Sequence, residues 1–243
     1  MTLTRIRRSL TLIELTIVLL VLAAVAGILV PRLTGYTGKA HGSAGAANVQ
    51  EISKSIALFE ANNGSMPSGW DNLINDGDNT VANFLVDAAA TNPFAPTALT
   101  ATTAASLVEA GITTIHNLDN AADNKTFNPY AAAGTINLTA ASTDEVATLT
   151  AAAQTSLGLP TATYAVFGLG ARSTMINNVI TDAPVHFPEG GENPENVYLR
   201  FVVIYNVDGE KARYVGVYAL EPDSGELKSV GAHLAEFYEN RQG

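Results

Sequence analysis

The sequence predicts an α+β protein in which a long N-terminal helix, membrane-spanning in its first half, packs on a C-terminal antiparallel β-sheet. Three observations carry this expectation. Residues 10–30 read LTLIELTIVLLVLAAVAGILV, with Glu14 as their only charge. Val49, Ile52, Ile56 and Phe59 then recur at spacings of three and four, which marks one face of a helix laid on a core. Finally, residues 197–207 and 212–220 are rich in Val, Tyr, Phe and Ile and are separated by Asp208-Gly209, the signature of two strands joined by a hairpin turn.

Composition narrows the function classes. The chain has 243 residues, 47% hydrophobic and 15% charged, with 13 Lys+Arg against 23 Asp+Glu for a formal charge of −10. That is enough apolar content for a sizeable core. The acidic balance is the wrong sign for neutralising phosphates, so no nucleic-acid partner is expected. There is no cysteine, which excludes disulfides, thiolate catalysis and Cys-containing metal sites.

From the N-terminus, Arg5, Arg7 and Arg8 precede the apolar run, and the next base is Arg32. Roughly 21 apolar residues at 1.5 Å rise match a hydrocarbon core of about 30 Å. The basic cluster before them predicts an N-terminus on the cytoplasmic side with the remainder exported. A secretory signal peptide cut after Ala24-Val25-Ala26 is one alternative. Another is a plain single-span anchor, in which Thr11-Leu12-Ile13-Glu14 forms a capping box at the helix start. A carboxylate within such a segment is costly, about 2.5–3.5 kcal/mol at a helix centre, so Glu14 calls for a cation.

The constellation Arg7-Arg8-Ser9-Leu10-Thr11-Leu12-Ile13-Glu14-Leu15, followed by an uninterrupted apolar helix, resembles the N-terminal signal of type IV prepilins and type II secretion pseudopilins. The resemblance implies a lollipop-shaped fold and a filament subunit with no catalytic activity. It implies a leader of residues 1–9 cut by a prepilin peptidase between Ser9 and Leu10, and N-methylation of Leu10. It gives Glu14 an assembly role, meeting the new α-amino group of Leu10 on a neighbouring subunit; methylation leaves that amine protonated. The family usually carries Gly before the cut and Phe after it, where this chain has Ser9 and Leu10. Pro31 stands where these pilins commonly carry a helix-disturbing proline. The partners implied are further copies or related pilins, the membrane, the peptidase and the pilus or secretion assembly machinery. The placement implied is a single-pass inner-membrane protein before assembly and a periplasmic or extracellular filament after it. The alternative from another class is a single-span membrane-anchored binding or accessory domain that does not polymerise.

Residues 31–62 are expected to continue the helix through a pliable stretch. Pro31 cannot donate to the helix ladder, and Gly35, Gly38, Gly42 and Gly45 each cost about 0.8–1 kcal/mol relative to Ala. Asn62-Asn63-Gly64 ends the helix. Residues 63–243 form the exported globular part. Within it residues 86–160 are dominated by Ala, Thr, Ser and Asn and are expected to be an insertion, with short helices at 104–111 and 143–157. Strands are expected at 164–167, 197–207, 212–220 and 226–230, and a closing helix at 232–238.

Sites for chemistry are sparse. Gly168-Leu169-Gly170 resembles half of a dinucleotide fingerprint, but the third glycine is missing and no βαβ unit surrounds it, so it reads as a turn. His41, His116, His186 and His233 are scattered singly, without metal-ligand spacing. The acidic runs at 75–79 and 189–195 lack the EF-hand pattern and read as solvated loops. No metal, cofactor or catalytic residue is expected.

Overall fold

The computed structural model describes residues 12–75, 79–118, 134–186 and 197–239. Helix α1 runs from Leu12–Asn63, and its helical assignment is unbroken across Pro31. Among the described residues nine strands follow: β1 (Trp70–Asn75), β2 (Phe94–Ala98), β3 (Thr114–Leu118), β4 (Thr135–Asn137), β5 (Glu145–Leu149), β6 (Tyr164–Gly168), β7 (Val202–Asn206), β8 (Arg213–Leu220) and β9 (Leu227–Lys228). Helices α2 (Ala101–Ala110) and α3 (Ala151–Ser156) lie among them, and α4 (Val230–Glu239) closes the described chain.

All nine strands belong to one mixed sheet. Its main path is β4-β3-β1-β6-β7-β8-β9, with β2 joined through β5 to β6. Strand β6 is the branch point. One edge pairs fully with β7, while the other meets β5 at Ala165 and β1 at Gly168. Pairing is antiparallel except between β1 and β3.

This architecture overturns the expected fold class, a pilin-like lollipop with a C-terminal antiparallel sheet. The sheet draws strands from residue 70 onward, contains a parallel pair and dominates the structure. The Ala/Thr-rich stretch at 86–160, expected to be an insertion, supplies β2, β3, β4 and β5. Glu145–Leu149, expected as helix, is a strand paired with β2 over its full length.

The membrane-spanning expectation is also corrected. Among the described residues no helix is long and apolar enough to cross a membrane. A span needs about 20 consecutive apolar residues in a helix, and α1 does not supply them among the described residues. The expected placement, single-pass in an inner membrane before assembly and periplasmic or extracellular after it, therefore loses its basis.

Cores lie on both faces of the sheet. On one, Val49, Ile52, Ile56 and Phe59 of α1 and Leu107 of α2 meet Ala165, Phe167, Val203 and Tyr205. On the other, Phe84, Leu85 and Phe94 cover Tyr164, Val166, Val202 and Ile204. Strands β6 and β7 are thus apolar at successive positions because both faces are buried. Helix α2 is bounded by its own chemistry. Thr100 and Thr103 form a reciprocal capping box, and Gly111 ends the helix at φ 98°, a left-handed conformation that favours glycine.

Candidate functional site

The segment of α1 before the domain is apolar and bare. Ile17 through Leu22 are six consecutive residues, each 50–72% exposed. At 100° per residue they pass right round the helix, so no side of it is covered. Glu14 is exposed on this segment. Thr16 donates to the Ile13 carbonyl at 2.9 Å, which satisfies its hydroxyl within the helix and leaves an apolar exterior. Ser9 and Leu10, the expected cleavage and methylation positions, lie outside the described residues. Pro31 lies within the helical run, and its side chain is outside the description as well.

Gly42 and Gly45, expected to loosen the helix, are buried. A β-carbon on Gly45 would lie 2.7 Å from the His233 ring of α4. This glycine lets α4 approach the α1 backbone, and that packing offsets its poor helix propensity.

Two buried polar clusters flank the sheet. In the first, Tyr198 donates to Asp71 Oδ2 at 3.0 Å, and Arg200 donates to the Leu169 carbonyl at 3.4 Å. The glycine pair that imitates a nucleotide fingerprint makes room for this cluster. A β-carbon on Gly170 would meet the Asp71 carboxylate at 2.1 Å, and one on Gly168 would meet the Tyr198 hydroxyl. The glycines accommodate protein side chains, not a phosphate.

Burial pushes the Asp71 carboxyl up to about 6, against the opposing pull of Arg200, the Tyr198 hydrogen bond and Arg172. Burial likewise drives the Tyr198 hydroxyl well above its usual range. A carboxyl raised on folding favours the folded state below its unfolded value near 3.8. That contribution is lost as pH rises through about 6. Asp71→Asn keeps an acceptor for Tyr198 and removes the buried charge. It is expected to stabilise the protein by about 1–3 kcal/mol at pH 8 and to have little effect below pH 4. Urea unfolding of both proteins in detergent at the two pH values checks this.

In the second cluster, His186 Nε2 donates to Glu221 Oε1 at 2.9 Å, and Lys228 Nζ lies 3.3 Å from the same oxygen. Burial would raise the Glu221 carboxyl, but the His186 hydrogen bond and charge, with Lys228, outweigh it and hold it below the ordinary value. The rings of His186 and His233 stand 5.3 Å apart. Sequence spacing could not pair them, because they are brought together from a loop and from α4. His116, on β3, contacts Thr135 at 3.0 Å.

Among the described residues no group of three or more His, Asp and Glu side chains is placed to hold a metal ion. An open groove between the end of α1 and the β7–β8 hairpin is lined by Glu60, Glu210, Lys211 and Arg213, whose charges balance and favour no ionic ligand. No protein family, curated protein or solved structure matches the chain. The feature that most needs an explanation is therefore the bare apolar helix.

Proposed function

We propose that this chain is a structural filament subunit of the type IV pilin or type II secretion pseudopilin kind. The observation that carries the reading is the apolar, uncovered stretch of α1 behind the Arg7-Arg8-Ser9-Leu10 signal. Ten large apolar side chains between Leu12 and Val25 are 46–81% exposed. Covering them is worth on the order of 10 kcal/mol or more per chain before association costs. A soluble monomer rarely leaves such a patch bare.

Because the apolar surface goes round the helix, a single partner along one seam leaves much of it wet. A dimeric coiled coil needs only a two-in-seven stripe, whereas an all-round apolar helix belongs in the centre of several neighbours. In this reading α1 of each copy lies among the α1 helices of others and the β-sheet domains face outward. Glu14 then sits among apolar neighbours and meets the α-amino group of a neighbouring Leu10. Such a buried pair specifies axial register more than it adds stability.

Mass spectrometry of assembled material tests the proposal. The expected mature chain begins at Leu10 with one added methyl group on its amine, and electron microscopy of the same material shows filaments. An N-terminus at Met1 or at Gly27 in assembled material overturns it.

A further inference from the structure

The groove between the end of α1 and the β7–β8 hairpin has a volume of about 770 Å³, within the range of about 300–1,000 Å³ usual for small-molecule sites. Its walls are tied together from three elements. The Tyr214 hydroxyl of β8 donates to Ser53 Oγ of α1 at 3.0 Å. The Ala212 amide of the hairpin donates to the Ser106 carbonyl of α2 at 2.9 Å, and the Met66 amide, just after α1, donates to the Ala110 carbonyl at 2.8 Å. The groove is thus preformed, which spares an incoming ligand the cost of ordering its walls.

Glu60, Glu210, Lys211 and Arg213 line this space. Among the described residues no ion pair joins these two carboxylates and two cations to one another or to a further group. Two acceptors and two donors therefore border one groove of zero net charge. A ligand charged with one sign is attracted by one pair and opposed by the other. A ligand that uses all four must instead be neutral and carry several groups that both donate and accept, as hydroxyls do. Tyr214, half-buried, and Met66 add apolar surface to the wall, and an aromatic ring takes the C–H face of a sugar well because it is apolar in the middle and polar at its tip. Two hydroxyls behind the wall, those of Ser106 and Tyr205, are fully buried without a hydrogen-bond partner. One belongs to the residue that holds the Ala212 amide and the other to the β7 partner of Tyr214, so the fold does not exhaust the polar capacity of this wall.

We infer that the groove binds a short neutral oligosaccharide, whose hydroxyls donate to the Glu60 and Glu210 carboxylates and accept from Lys211 and Arg213 while one ring face lies on Tyr214. Hydrogen bonds to ionised groups are the stronger kind, which suits a ligand that must give up its own hydration on entering. The site belongs to the globular part of the single chain, at the opposite end of α1 from the bare apolar segment. It stands apart from the filament reading, and a monomer carries it whole.

NMR titration of the full chain, in a detergent without a sugar head group, tests this with three neutral probes: maltotriose, cellotriose and triacetylchitotriose. Trigalacturonate and triglycine serve as the anionic and zwitterionic comparisons. At least one neutral trisaccharide is expected to shift the amides of residues 210–214 and the Tyr214 ring, saturating with a Kd of about 1 mM or tighter. Glu210 and Arg213 are exposed, so Glu210→Ala and Arg213→Ala should keep the wild-type urea midpoint. Each should weaken the binding at least about tenfold, as expected for losing a hydrogen bond to a charged group. No shift with any of the three neutral sugars up to about 20 mM overturns the inference. So does tighter binding of trigalacturonate or triglycine than of every neutral sugar, a set of shifts that leaves out residues 210–214, or binding unchanged in either variant.

Discussion

Gly168→Ala is expected to destabilise the fold by about 3–5 kcal/mol, as a lowered urea midpoint. The new methyl would occupy the position of the Tyr198 hydroxyl and lie 2.5 Å from its ring carbon Cζ. That ring has no easy escape. Tyr198 is fully buried, its amide donates to the Phe84 carbonyl, and its hydroxyl is committed to Asp71. Gly168 is held equally firmly, pairing with Val202 on one side and with Asp71 on the other. Overpacking of this kind costs about 1–3 kcal/mol and sometimes more. Losing a hydrogen bond to a buried carboxylate adds about 1.5–3 kcal/mol. Two comparisons isolate the cause. Gly27→Ala places its methyl where nothing lies within 4 Å and should be neutral or slightly stabilising through helix propensity. Adding Tyr198→Phe to Gly168→Ala removes the clashing oxygen and should recover part of the loss. A Gly168→Ala midpoint within error of wild type would mean that the Tyr198–Asp71 cluster is not packed as described.

The parts of this fold legible in the sequence are those where residue type and burial agree. Strands β6, β7 and β8 are visible because Val, Tyr, Phe and Ile crowd them, and the turn at Asp208-Gly209 separates β7 from β8. The stripe Val49, Ile52, Ile56 and Phe59 is legible for the same reason, and all four residues enter the core. Strand β1, at the centre of the sheet, is not legible. Its sequence WDNLIN looks like a polar loop, yet every residue is buried. Its polar members are met in part by distant residues: Asn72 Nδ2 donates to Asn117 Oδ1 and to the Glu145 carbonyl, and Asp71 accepts from Tyr198, while the side-chain oxygens of Asn72 and Asn75 are buried without a hydrogen-bond partner. Strand β2 carries Pro96, which argues against a central strand; it is tolerated because this residue is exposed and β2 pairs with β5 alone. The histidine pair shows the same limit. His186 and His233 are 5.3 Å apart because tertiary packing brings their elements together, and no local period encodes that. Gly45 illustrates the converse, since a residue with poor helix propensity is present for the close approach it allows.

A lysine introduced singly at Val18, Leu19, Leu20 or Val21 is expected to reduce assembly at least about 30-fold at every one of the four positions. Four consecutive residues advance by 100° each and so sample the whole circumference of α1. All four are apolar and at least half exposed in the isolated chain, so none supports the monomer's own core, and the folded domain should keep its urea midpoint. In a core built from several α1 helices each position is covered by a neighbour, and an ammonium there is buried without a designed partner. A buried unpaired charge costs several kcal/mol after relaxation. Even about 2 kcal/mol per contact corresponds to a factor near 30. A paired association predicts a different pattern, in which one or two positions face the partner and fail while the others tolerate lysine as solvent-exposed sites. Sedimentation of assembled material against monomer, normalised to the folded fraction, reads out both. Uniform loss at the four positions supports the multi-neighbour core; an alternating pattern replaces it with a two-helix seam. Wild-type assembly by all four variants would mean that α1 is not the assembly surface, and the filament reading would fall with it.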